Sequence, residues 1–207
     1  MSKIKLKHSS GNSMSIGAPA TNPASDLELK LPATVGTAGQ VLMNSGTAGT
    51  LEFGYASVEA DDWRLNTTFS SSESFITTNW ERNDTYFDKI GTGMSESSGV
   101  FTFPTTGIWR IDFNASSNIS DTNVRYVGGH IYITHDNSTY REHTQNYSNI
   151  VDHGSAYSST HASVLFDVTD TSTHKVKFLV KSSVSLSWHG STNHHNTWAL
   201  FTRLGDT

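Results

Sequence analysis

Ser98-Gly99-Val100-Phe101-Thr102-Phe103-Pro104-Thr105-Thr106-Gly107-Ile108-Trp109-Arg110-Ile111-Asp112-Phe113 carries the pattern that decides the fold. Trp109, Ile111 and Phe113 alternate with Arg110, Asp112 and Asn114, a period of two that gives a strand one apolar and one polar face. Pro104 and Gly107 break the run before it and mark a turn. The same alternation returns at Val176, Phe178 and Val180 against Lys177, Leu179 and Lys181. Shorter runs at 99–103, 130–134, 163–168, 184–188 and 197–203 are separated by polar turns, and no helical period appears. Such spacing predicts an all-β antiparallel sandwich, with Trp109, Phe113, Val164, Phe166, Phe178 and Trp198 in its core or on an oligomer axis.

Composition divides the 207 residues near position 60, because all five tryptophans lie beyond it. The expected boundary falls between Tyr55 and Asp62, giving an extended arm over 1–57 and a head domain over 58–207. The arm holds two alternating runs, Lys3-Ile4-Lys5-Leu6-Lys7 and Leu27-Glu28-Leu29-Lys30-Leu31, each expected as a short strand. Pro19, Pro23, Pro32 and several glycines surround them, and large apolar side chains are too few to offset the entropy of ordering. Contact with other chains is the expected source of order.

The absence of cysteine excludes a disulfide framework, a thiolate zinc site and a thiol nucleophile. A net charge of −5 with no large basic cluster argues against nucleic acid as partner. No apolar run approaches the roughly 18 residues of a membrane span, and the first residues lack a signal-peptide core. The expectation is a chain made in the cytoplasm without membrane insertion.

The stretch 98–113, preceded by Phe87-Asp88-Lys89-Ile90, resembles the complement component 1q type of tumour-necrosis-factor-like jelly roll. Gly99, Phe101, Pro104, Gly107, Trp109, Ile111 and Phe113 fit that family's Gly-x-Phe strand, Pro-x-x-Gly turn and aromatic strand. Ala162–Val168 and Asn196–Phe201 are similar to its middle and closing strands, whereas Thr169-Asp170-Thr171 and Ala199 depart from its usual glycines. The resemblance implies a jelly-roll head that forms a homotrimer and binds a partner.

A second resemblance lies in the arm. Lys5-Leu6-Lys7-His8-Ser9-Ser10-Gly11-Asn12, Ala18-Pro19-Ala20, Leu29-Lys30-Leu31-Pro32 and Gly36-Thr37-Ala38-Gly39-Gln40-Val41-Leu42 resemble attachment regions of tailed-phage virion proteins. This implies a virion structural protein, assembled in the host cytoplasm, whose arm over 1–57 binds other virion proteins. Its head would project as a fibre or appendage for host-surface adhesion. The alternative is a capsid-decorating protein with the arm on the shell; a glycan-degrading enzyme is a third reading.

Catalytic and metal signals are weak. His189, His194 and His195 invite a metal reading, but adjacent strand residues face opposite ways and the spacing matches no defined site. No Gly-x-Ser-x-Gly elbow occurs, and the carboxylates form no calcium-loop run. No cofactor, metal or catalytic residue is therefore expected. Tyr126, Tyr132, Tyr140, Tyr147, Tyr157 and Trp188 lie near polar loops, where aromatic faces can stack on a sugar or pack on a partner. They are the candidate binding residues.

Overall fold

The computed structural model describes residues 3–7, 9–17, 20–21, 23–38, 40–45, 47–54, 58–119, 124–151, 153 and 155–207. His8, Ala18, Pro19, Gly39 and Tyr55, used in the arm and boundary readings, lie outside them. The chain forms two compact units, Met1–Ala56 and Ser57–Thr207. Every regular element among the described residues is a β-strand.

In the first unit, β1 (Lys3–Lys7) and β2 (Ser13–Gly17) pair antiparallel, as do β3 (Val41–Asn44) and β4 (Leu51–Gly54). The run 27–31 is not the strand its alternation predicts. Only Lys30 joins a ladder, its N–H donating to the Gly49 carbonyl and its carbonyl accepting from Leu51 N–H, both at 2.8 Å. Pro32 brings no N–H to extend the pairing. Leu27, Leu29 and Leu31 stay exposed, since none of the described residues of this unit covers their apolar row.

The second unit is a jelly-roll sandwich. One layer runs in the order β7 (Trp80–Arg82), β5 (Ala60–Leu65), β16 (Trp198–Gly205), β11 (Gly107–Ile119), β14 (Ala156–Val168). The short β8 (Lys89–Ile90) also pairs with β5. The other layer centres on β15 (Lys175–Ser191), flanked on one side by β12 (Val127–Thr134) and then β13 (Arg141–Ser148). Along its other side β15 pairs with β10 (Val100–Thr102), which carries β9 (Ser95–Ser97), and with β6 (Thr67–Phe75). At one end β15 also bonds to β11, Ser117 opposite Trp188, which ties the layers together.

Alternation placed most of the core. Trp109, Phe113, Phe166 and Phe178 are buried between the layers, and Val164 packs half-buried against them. Trp198 is outside the core, half-buried on the outer face of its layer and stacked on His195. The runs expected at 176–181 and 184–188 join into the single strand β15. β6 and β13 carry no apolar alternation, so periodicity does not mark either as a strand. Between β9 and β10, Ser98 and Gly99 both have positive φ, the geometry of a two-residue hairpin turn. A Cβ on Gly99 would lie 2.2 Å from the Ile76 carbonyl oxygen.

A polar network fastens the 83–94 segment to β5. Asp61 is fully buried and accepts from Trp63 Nε1 (2.9 Å), Met94 N (2.6 Å) and Arg82 Nε (2.9 Å). Buried Arg64 donates to Glu81, Asn83 and Thr85, and Asn83 donates to Asp62 Oδ2 at 2.7 Å. Glu59 accepts from the backbone of Thr92 and Gly93. These carboxylates are occupied by protein donors, which with Asp112 accounts for the four buried acids among the described residues.

His174 gives the head an acid-sensitive contact. It stacks on Phe166, touches His135, and shares hydrogen bonds with Thr169 Oγ1 and Thr173 Oγ1. Burial and then the His135 charge hold its pKa below the ordinary histidine value. The unfolded chain therefore takes the proton first. Its contribution is complete above about pH 6.5 and is lost as pH falls through the lower folded value. The melting temperature should drop between about pH 7.5 and about pH 5.5, and His174→Gln should shrink that drop. Calorimetry of both proteins at the two pH values checks it.

Candidate binding surface

On β12, Ile131 and Ile133 point into the core, so His130 and Tyr132 face outward; on β15, Lys177 and Lys181 do the same between the inward Val176, Phe178 and Val180. β6 adds Glu73 and Phe75 opposite Lys181 and Leu179, and β13 adds Glu142 and Tyr147. The result is one outer face bearing aromatics and charges. Lys177 Nζ sits 3.8 Å from the centre of the Phe75 ring and 4.1 Å from that of Tyr140, and Phe75 meets Tyr132 edge-on at 4.9 Å. Burial lowers the Lys177 pKa, and no carboxylate pairs with it among the described residues.

Glu142 organises the middle of the face. Its Oε2 accepts from Tyr132 OH at 3.0 Å and lies 2.9 Å from His130 Nδ1. Burial pushes the Glu142 carboxyl upward, but these hydrogen bonds outweigh it and hold the group below its ordinary value. Tyr132 is raised, first by burial and then by donating to Glu142. When His130 donates through Nδ1, its Nε2 is left a buried acceptor without a hydrogen-bond partner among the described residues. Tyr147 packs edge-on against both Tyr126 and His130. Lys181 bonds Glu73 at 3.0 Å, which raises its pKa.

The structure thus brings Tyr126, Tyr132, Tyr140 and Tyr147 together on one face. Tyr157 is elsewhere, exposed on β14 and stacked on His189. Trp188 is no surface residue: it is fully buried, and its indole N–H donates to the Ser71 carbonyl at 3.0 Å. The three candidate histidines have separate surroundings, His194 on Ser191 and His195 on Asp62 at 2.7 Å. Among the described residues no group of three His, Cys, Asp or Glu side chains could hold a metal ion.

Where β12 turns into β13, the surface opens into a cleft of about 290 Å³ lined by Ile133, His135, Asp136, Arg141, Glu142 and His143. Ile131 pairs with Thr144 but Tyr132 with Glu142, so His143 is the extra residue of a β-bulge. The bulge lets Arg141, Glu142 and His143 line one cleft, which strict alternation forbids. The dense charge of Arg141-Glu142-His143 in a weakly charged chain was the available signal.

The opposite outer face, on the β14–β11–β16–β5 layer, presents Tyr157, His161 and Leu165 in one row on β14, with Trp198 beside His161. Tyr157 is 70% and Leu165 59% exposed. Buried Asp112, on the adjacent β11, lies beside the row, 2.8 Å from Arg110 and 3.4 Å from His161 Nε2.

No family model matches the chain, and no curated protein matches it in sequence. Solved structures do match the fold. Murine APRIL, crystallised at pH 5.0, aligns with a TM-score of 0.53 and 12% identity, covering 71% of this chain and 99% of that one. The tumour-necrosis-factor protein Eiger from S. frugiperda aligns with a TM-score of 0.55 and 10% identity, covering 73% and 96%. At such identity the likeness concerns architecture: the chain is an all-β protein built on the jelly roll of tumour-necrosis-factor-type proteins.

Proposed function

We propose that the protein is a non-catalytic, homotrimeric appendage of a tailed-phage virion, anchored through residues 1–57, whose jelly-roll head adheres to the host surface. The observation carrying this reading is the division of the head into two unlike faces. One bears an uncovered row of Tyr157, His161 and Leu165, suited to contact with a second copy. The other bears aromatics set among charged groups, suited to a polar partner. Exposed Leu27, Leu29, Leu31 and Val35 in the first unit support an arm that is covered by other virion proteins. Three heads on one particle raise avidity through effective concentration with no further contacts.

Light scattering of the purified full chain should give the mass of three chains, and Leu165→Asp should shift it toward one. A monomeric wild type overturns the assembly. Imaging of virions labelled at the C-terminus should place the label on the tail; a label over the capsid shell makes the protein a decoration, and no label on virions removes the virion role.

A further inference from the structure

We infer that the cleft between Ile133 and His143 is a binding site for a carboxylate-bearing sugar, with Arg141 receiving the carboxylate and the bulged His143 beside it. The argument is the state of the charges that line it. Asp136 Oδ1 already accepts from Ser138 N (2.9 Å), Thr139 N (2.7 Å) and Thr134 Oγ1 (2.8 Å). Those donors hold its carboxyl well below the usual range, so it stays an occupied anion. Glu142 is committed to His130 and Tyr132. Both acids lining the cleft are therefore satisfied by the protein.

The two basic side chains have no such partners. Among the described residues neither the Arg141 guanidinium nor the His143 ring has a hydrogen-bond, ion-pair or ring partner, and both are exposed to the cleft. Asp136 Oδ1 is held by the donors of its own loop, and no ion pair joins Asp136 to Arg141 among the described residues. A free guanidinium presents parallel N–H donors that match a carboxylate. The remaining lining suits a sugar ring: Ile133 gives an apolar floor, and Thr139 and the second oxygens of Asp136 and Glu142 can meet hydroxyls. About 290 Å³ lies at the small end for ligand pockets, room for one ring and not for an extended chain. β-Bulges commonly re-aim a side chain beside a site, and here the bulge places His143.

In biological terms this rests on the adhesive reading above; the binding test does not require it. The full chain is titrated by calorimetry with methyl glucuronide, methyl glucoside, sodium acetate and sodium sulfate. Glucuronide should bind about tenfold or more tightly than glucoside or acetate, as expected for a charge-assisted pair plus ring contacts. Arg141→Gln should weaken glucuronide by a similar factor with an unchanged melting temperature, and His143→Ala should weaken it less. Equal binding of glucuronide and glucoside, or indifference to Arg141→Gln, overturns the site. Sulfate or acetate binding as tightly as glucuronide overturns the sugar and leaves a simple anion site. Adhesion is read separately on host cells. Arg141→Gln trimers that lose glucuronide but still hold cells exclude the cleft from adhesion, whereas a wild type that binds glucuronide and no cell overturns the adhesive reading alone.

Discussion

Phe101→Ala is expected to cost about 3–5 kcal/mol of folding stability, the range for removing a fully buried aromatic ring. Phe101 is the hub of the core. Its ring lies 5.3 Å from Trp63, 5.2 Å from Trp80, 5.5 Å from Phe178 and 5.1 Å from Phe201. Those neighbours come from β5, β7, β15 and β16, so the ring joins both layers. Large planar groups anchored on four strands cannot collapse into the space without breaking ladder bonds, which places the cost toward the upper end. Denaturant unfolding at a fixed chain concentration measures it, because the apparent stability of any self-associating chain depends on concentration. A loss below about 1 kcal/mol would mean that the core repacks freely.

Asp61→Ala should destabilise by a similar amount, about 3–5 kcal/mol, for an electrostatic reason. The carboxylate is fully buried, and its removal strands the Trp63 indole N–H and the Met94 amide, each a buried donor costing about 1–3 kcal/mol unpaired. Arg82, 4.6 Å over the Trp63 ring, would lose both of its bonds to the carboxylate and keep the one from its Nη2 to the Met94 carbonyl. Asp61→Asn should recover part of the loss, since the amide oxygen can still accept from one or two of these donors. The same unfolding measurement checks it, and near-neutral behaviour of Asp61→Ala would show that water replaces the carboxylate.

Strands with apolar alternation were legible because burial on one face leaves a period of two in the residues themselves. Trp109, Ile111 and Phe113 are all fully buried, and Phe178 lies where its alternation puts it. β13 was illegible for the complementary reason. It is an edge strand whose side chains are mostly exposed, so no apolar face was needed. Trp188 shares parity with Val184 and Leu186, but the strand that receives its N–H, β6, is written in serine and threonine. A missed cover made a core residue look like a surface one. In the arm the error ran the other way, since 27–31 has the pattern of a strand and lacks the neighbour that would use it. The Arg141 cleft depends on a bulge, a local insertion that leaves no periodic trace.

β15 begins at Lys175 and pairs with β6, β10, β11 and β12, all made earlier in the chain. Contacts such as Thr67 with Ser191 close loops spanning most of the head. Loop entropy must be overcome before such contacts contribute, which slows folding. During synthesis the earlier strands leave the ribosome with edges that have no partner. The head therefore completes its sandwich only after β15 and β16 have emerged, and until then its open edges are exposed to the same edges on neighbouring nascent copies.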